Sequence, residues 1–204
     1  MAAEPDRPVR AGAAETQRRS RRIAADPAEW TAEQAAETVR TYRQLAAEWN
    51  DERGGYRPVP VRDALARGGP FPAGPCLEVG CGTGLLTPVL AEVWPRAVCL
   101  DLSPDMLARS RARDRVRADA SGLPVADGRC AAVVLADAPL FAAEVVRVLA
   151  ADGVVVWSNA LGTDAPHHVP VPAVLDALAQ ASGVAWSAVT ADAGWGLWAV
   201  LRRA

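Results

Sequence analysis

The 204-residue sequence predicts an α/β fold: a seven-stranded, mostly parallel sheet with helices on both faces and a terminal antiparallel strand pair. Three observations carry this. Short apolar runs alternate with helical patterns from residue 76 onward, the pattern of parallel strands joined by crossover helices. The first of these strands runs straight into a glycine-rich turn, "CLEVGCGTG" at 76–84. The chain closes on two further strand-like runs, "VAWSAVTA" (184–191) and "GLWAVLRR" (196–203), with room between them for a turn and no crossover helix.

Each element follows in order. Residues 1–25 are rich in Ala, Arg and Glu with no periodic apolar face, so a disordered tail is expected, with "RRSRR" (18–22) solvated. Order should begin at "DPAEW". Asp26 can cap, Pro27 suits a first helical position, and Glu29 completes a capping-box spacing. Trp30, Val39, Tyr42, Leu45, Ala46 and Trp49 then recur at helical spacing until Gly54 and Gly55. A second short helix is expected over about 61–67, before "RGGP". Residues 26–70 therefore read as an N-terminal helical lid, with Tyr42 and Trp49 as its candidate aromatic contacts. Residues 71–204 read as the sheet domain. There "CLEVG" is the first strand, followed by the turn and a helix to about residue 93. "AVCLD" is the second strand, and "SPDMLARSRAR" is a helix capped by Ser103 with Pro104 at its first position. "VRAD" and "AAVVLAD" are the third and fourth strands, "LFAAEVVRVLA" a helix and "GVVVWSN" the fifth strand. After a loop carrying both histidines, "VPAVLDALAQAS" is the last helix.

Composition excludes several function classes. Half of the residues are hydrophobic and 23% are charged, which is globular composition. A formal charge of −2 gives no reason to expect nucleic acid or a membrane surface as partner. All 22 basic residues are Arg, so a Schiff-base lysine and a Walker-type phosphate lysine are both excluded. Cys76, Cys81, Cys99 and Cys130 form no CxxC pair and have no close histidines, so neither a zinc site nor a disulfide framework is expected. Cys76 and Cys99 read as small core residues in strands. No apolar run approaches the roughly 20 residues of a membrane span, and the N-terminus lacks a signal-peptide apolar region. The expected location is the cytoplasm.

The glycine turn raises the question of its ligand. Gly80, Gly82 and Gly84 spell G-x-G-x-G, whereas a dinucleotide fingerprint would put its third glycine at position 85, which is Leu85. Glu78 at the strand end would repel a pyrophosphate and suits a ligand carrying positive charge. S-adenosylmethionine has an ammonium, a sulfonium and no phosphate. Asp101 closes the second strand, where an acid can accept both ribose hydroxyls. Asp119, at the end of the third strand, can accept from an adenine amino group. Three acids at three successive strand ends favour the sulfonium nucleoside.

At this point "LEVGCGTG" (77–84) resembles motif I of the class I S-adenosylmethionine-dependent methyltransferases. "LDLSPDML" (100–107) resembles the family's second motif and "RADASGLPVADG" (117–128) its third. "EVVRVLAADGVVVWSN" (144–159) is similar to its stretch into the fifth strand. The resemblance covers about residues 75–160 and implies a Rossmann-like sheet whose sixth and seventh strands are the antiparallel pair. It also implies S-adenosylmethionine as cofactor. Glu78, Gly80, Cys81 and Gly82 would line its methionine and ribose portions, with Gly84 completing the turn. Asp101 would bind the ribose, Leu102 and Met106 would pack on the adenine, and Asp119 with Ala120 would meet its amino edge.

Two departures stand out. Relatives place an aspartate before the apolar part of the fourth strand, where this chain has "RCAAVV", and "ADAPLF" omits the usual loop that helps to form the acceptor pocket. The expected function is methyl transfer to O or N of a small-molecule acceptor; the alternative is a member that binds the cofactor without transferring. A base is needed only when the nucleophile must lose a proton. The candidates are His167 and His168, in "GTDAPHHVP" after the fifth strand, and Asp137 at the end of the fourth. Asp137 with Ser158 and Asn159 offers one acid and an amide, so no metal is expected.

Overall fold

The structure is a computed structural model that describes residues 13–204. Its strands are β1 (Cys76–Val79), β2 (Ala97–Asp101), β3 (Asp114–Arg117), β4 (Cys130–Ala136), β5 (Leu149–Asn159), β6 (Trp186–Ala193) and β7 (Gly196–Arg203). They form one sheet in the order β3-β2-β1-β4-β5-β7-β6. β1 to β5 pair in parallel, and β7 lies antiparallel between β5 and β6. This is the predicted Rossmann-like α/β sheet.

Burial on both faces explains the apolar runs. Alternate side chains of one strand enter different layers. Cys76 of β1, Ala132 and Val134 of β4, and Val154 and Val156 of β5 share a layer with Trp94 and two helices, α4 (Pro58–Arg67) and α5 (Thr87–Ala91). Leu77, Val79, Val133, Leu135, Val155 and Trp157 face the other layer, with α7 (Ala142–Val148) and α8 (Val171–Ser182). β3 is a fully exposed edge, and its sequence, Asp-Arg-Val-Arg, protects it with charge.

The remaining helices gather at the carboxyl ends of the strands: α1 (Ala13–Ala25), α2 (Ala32–Leu45), α3 (Trp49–Arg53) and α6 (Pro104–Leu107). Trp49 packs with Ala46, Met106, Tyr42 and Leu45, which ties α2 and α3 to α6. No helix among the described residues is long and apolar enough to cross a membrane.

Several expectations change here. Residues 13–25 of the expected disordered tail form α1, while residues 1–12 lie outside the described residues. Tertiary contacts supply what the composition lacks. Ile23 is 1% exposed, and Gln17 Nε2 donates to the carbonyls of Thr163 (2.8 Å) and Ala165 (2.9 Å). Glu15 in the first turn and Arg22 in the last also complement the helix dipole. Asp26 and Pro27 open only a 3-10 turn, and the capping box belongs to Thr31 and Gln34 at the start of α2. The helix expected over 103–113 ends with α6 at Leu107, although Ser103 caps it through the Met106 N–H as the sequence suggests. α4, assigned to the lid, lies on the sheet: Val61 and Ala64 are wholly buried in its layer.

The packing of α1 is testable by Ile23→Ala, which should cost about 2 kcal/mol or more, the ordinary cost of emptying a buried isoleucine site. A lowered urea midpoint, with faster amide exchange in α1, is the expected result. An unchanged midpoint and exchange pattern would restore the disordered tail.

Candidate functional site

β1 lies between β2 and β4, so strand order reverses beside it, and the crevice beyond the carboxyl ends opens there. The glycine turn forms its floor. Gly80 has φ +69°, and a Cβ there would stand 2.8 Å from the Ala138 Cβ. Gly84 has φ +70°, with Ser110 Oγ where its Cβ would go. A side chain at either position would meet both backbone strain and a filled space.

Asp101 holds this turn against β2. Its Oδ2 accepts from the Gly82 N–H (2.7 Å) and its Oδ1 from the Ser103 N–H (2.7 Å). Burial raises its pKa, opposed by those two N–H groups, by the Arg57 charge and by the Leu102 N–H. Each carboxylate oxygen keeps a second lone pair for a ligand hydroxyl. Beneath the floor lies Glu78, 2% exposed, with Oε2 accepting from the Thr87 hydroxyl at 2.5 Å. Burial pushes its pKa up to about 7; the nearby Asp101 charge adds to the rise, while Thr87 and the Arg57 charge oppose it.

Cys81 and Cys99 form a disulfide with Cα atoms 5.6 Å apart, which corrects the expectation of unpaired cysteines. They are 18 residues apart in sequence and meet because the turn after β1 folds back beside β2. The Cys81 sulfur is directed there and not into the crevice, and its N–H donates to the Leu100 carbonyl at 3.0 Å. Cys99 is buried as expected.

Asp119 receives the Trp30 indole N–H on both oxygens, at 3.1 and 3.0 Å, and the Ser121 N–H at 2.9 Å. Trp30 in turn stands edge-on to Phe141, with ring centroids 5.8 Å apart. Asp137 adopts the left-handed backbone region (φ 52°) at the end of β4. There its carboxylate pairs with Arg57 (3.2 Å) and accepts from the Ala160 N–H (3.2 Å). Arg57 also donates to the Ala136 carbonyl at 2.7 Å. His167 is bonded at both nitrogens, Nδ1 to Ser20 Oγ (2.9 Å) and Nε2 to the Tyr42 hydroxyl (3.2 Å). His168 is turned inward, with Nδ1 at 3.0 Å from Asn159 Oδ1. Burial lowers its pKa and the Arg21 charge adds to this, against Asp137 and Asp164.

One cavity, open to solvent at its mouth, lies among these groups. Of the residues expected from the sequence, Gly80, Gly82, Asp101, Leu102, Asp119, Ala120, Asp137 and His167 line it. Glu78, Cys81, Gly84, Met106 and His168 lie outside its wall. Met106 is buried behind the floor against Trp49. The sequence reading missed Arg19, Ser20, Ile23, Thr38, Arg57 and Phe141, all of which line the cavity. Only Ile23, the lone large apolar residue among "RRSRRIAA", hinted at a buried face on the first helix.

The donor set fits a cationic nucleoside. Asp101, Asp119 and Asp137 are its carboxylates, and both lining guanidiniums are engaged, Arg57 by Asp137 (3.2 Å) and Arg19 by Glu37 (3.7 Å). No lysine exists to hold a phosphate.

Residues 77–157 match the family model described as a methyltransferase domain. A trans-aconitate 2-methyltransferase of Streptomyces avermitilis is 43% identical over 61 residues, 28% of this chain and 23% of that protein. The matches thus cover only about a quarter of the length of the curated relatives. Among solved structures, a DhpI complex with S-adenosylhomocysteine (SAH) superposes with a TM-score of 0.60 at 22% identity, covering 83% of this chain and 96% of that one. The methyltransferase in complex with the Haloferax volcanii Trm112 activator gives 0.64 at 16% identity, covering 79% and 97%. At these identities the structures show the fold.

The raised pKa of Glu78 makes stability depend on pH. Its contribution is fully present below about pH 4.5 and is lost as pH rises through about 7, on the order of 3 kcal/mol in all. Asp101, shifted in the same direction, steepens that decline. Glu78→Gln should flatten much of it in urea midpoints measured across this window; an unaltered slope would mean that Glu78 is ionised throughout.

Proposed function

We propose that the chain is a class I S-adenosylmethionine-dependent methyltransferase that moves a methyl group to O or N of a small-molecule acceptor, a reading supported by the methyltransferase-domain match over residues 77–157. The observation that carries this reading is the single cavity, which runs from the Gly80–Gly82 floor and Asp101 to the polar cluster of Tyr42 and His167. A cofactor and an acceptor would therefore share one cavity.

When bound, S-adenosylmethionine supplies an electrophilic methyl group on a sulfonium. The chain's own residues would bind and orient. The second lone pairs of the Asp101 carboxylate would accept the ribose hydroxyls while Gly82 and Ser103 hold it in place. Asp119 would accept from the adenine amino group beside Trp30. Gly80 and Gly82 let the backbone come close to the methionine portion, above the Glu78 carboxyl. An ammonium brought near that carboxyl would favour its ionised form.

The helices α1 to α3 would act as the lid. They contribute Ser20, Ile23, Thr38, Tyr42 and Trp49 to the wall, and would exclude water from the reacting groups. Holding acceptor and methyl group in line is worth roughly 7–11 kcal/mol of the barrier, which is the main work of such a site. The matched relatives are trans-aconitate 2-methyltransferases.

Calorimetric titration checks the cofactor. S-adenosylmethionine and SAH should both bind, and NAD should not. Asp101→Ala removes a charged acceptor of two hydroxyls, at about 1.5–3 kcal/mol per hydrogen bond, so affinity should fall at least 100-fold. Gly82→Arg, which puts a long side chain at a φ of +59° beside Trp49, should abolish binding. NAD binding, or undiminished binding by both variants, would sink the reading.

A further inference from the structure

Three side chains from separate parts of the chain form one line of hydrogen bonds into the cavity. Ser20 of α1 is 2.9 Å from His167 Nδ1, and Tyr42 of α2 is 3.2 Å from His167 Nε2. All three residues line the cavity that contains Gly82 and Asp101. Tyr42 and His167 also line a smaller cavity with Arg57 and Asp137. Thr38 Oγ1 stands in the main wall, buried and with no hydrogen-bond partner among the described residues. Since both His167 nitrogens are bonded, the ring cannot take a proton from an acceptor directly without giving up a bond. Its Nε2 is bonded to the Tyr42 hydroxyl, which lines the same cavity.

Resting on the methyltransferase reading, we infer that the acceptor is a neutral, apolar-bodied phenol whose hydroxyl sits at Tyr42, and that Tyr42 and His167 carry its proton away while Ser20 holds the imidazole. The apolar body follows from the part of the wall that the adenine would not take, to which Ile23 and Trp49 contribute. Neutrality follows from the charges. Arg57 is held by Asp137 and Arg19 by Glu37, so a polycarboxylate would bring its anions towards Asp137 with no unengaged guanidinium in the wall. The phenol follows from proton affinities: a phenolic hydroxyl titrates near that of tyrosine, about 10, within reach of a tyrosine–imidazole pair, whereas water and simple alcohols lie much higher.

The step balances. The acceptor oxygen forms a bond to the methyl carbon as the carbon–sulfur bond of S-adenosylmethionine breaks, its electron pair staying on sulfur. The acceptor proton passes to the Tyr42 oxygen while the Tyr42 proton passes to His167 Nε2. Nδ1–H donates to Ser20 Oγ throughout, and the positive charge lost from sulfur reappears on the imidazolium. The products are a methyl ether, SAH and a proton that leaves from His167. Titratable and charged groups around the relay include Arg19 with Glu37, Arg21 on α1, Arg57 with Asp137, and Asp164 and His168 on the histidine's own loop.

The probe is 4-nitrophenol, whose colour reports its ionised fraction, titrated into the cofactor-free protein beside trans-aconitate. We expect 4-nitrophenol to bind at least tenfold more tightly, with a bound ionised fraction above that in free solution at the same pH. Tyr42→Phe keeps the ring against Trp49, where the centroids are 5.6 Å apart, and should return that fraction to the free-solution value while the fold is retained. Ser20→Ala should lower it partway. Tighter binding of trans-aconitate, no binding of 4-nitrophenol, or an unchanged ionised fraction in Tyr42→Phe would each overturn the proposal. Because this readout needs no cofactor, its failure is separate from a failure of S-adenosylmethionine to bind, which would sink the underlying methyltransferase reading instead.

Discussion

The site depends on one carboxylate. Asp101 accepts from the Gly82 N–H and from the Ser103 N–H, both at 2.7 Å, and so joins the glycine turn to the start of α6. A turn with three glycines at positive φ has high conformational entropy in the unfolded chain, and something must hold its N–H groups in one direction. A half-buried carboxylate with two charge-assisted hydrogen bonds does that while keeping lone pairs for a ligand. The Cys81–Cys99 disulfide adds a covalent tie between the same turn and the same strand.

The second dependence is on the helices in front of the sheet. Without α1, α2 and the turn between them, His167 would lose its bonds to Ser20 and Tyr42, Asp119 would lose Trp30, and the crevice would be an open groove. The short "ADAPLF" connection after β4 is consistent with this arrangement. A pocket wall that a longer loop would supply comes instead from Ser20, Ile23, Thr38 and Tyr42. Gln17, reaching two loop carbonyls beside the histidines, fixes α1 where this wall is needed.

Electrostatics shape the same region. Glu78 and Asp101 are both raised chiefly by burial, and Arg57 opposes the rise at each. Arg57 also pairs with Asp137 and stacks over Trp49, its guanidinium 5.2 Å from the ring centroid. One guanidinium thus opposes the rise at both acids while lending no open positive face to an anionic ligand. The cavity therefore suits a cation with hydroxyls better than it suits a phosphate.

The sequence by itself determined the sheet, its strand-by-strand alternation, the glycine turn and the acids that close successive strands. These are local facts: a strand buried on both faces must be continuously apolar, a turn at positive φ calls for glycine, and Asp101 and Asp119 stand where their strands run out. β7 and α8 even begin and end at the residues the pattern gives. Tertiary structure alone decided the rest. Whether "AETQRRSRRIAA" folds could not be read from its composition, because its one large apolar side chain finds its partners far along the chain. The Cys81–Cys99 bond, the bonding of His167 to Ser20 and Tyr42, and the inward turn of His168 rest on juxtapositions across 18, 147, 125 and 9 residues. Periodicity reports which face of an element is buried; it carries no information about which distant side chain will be waiting there.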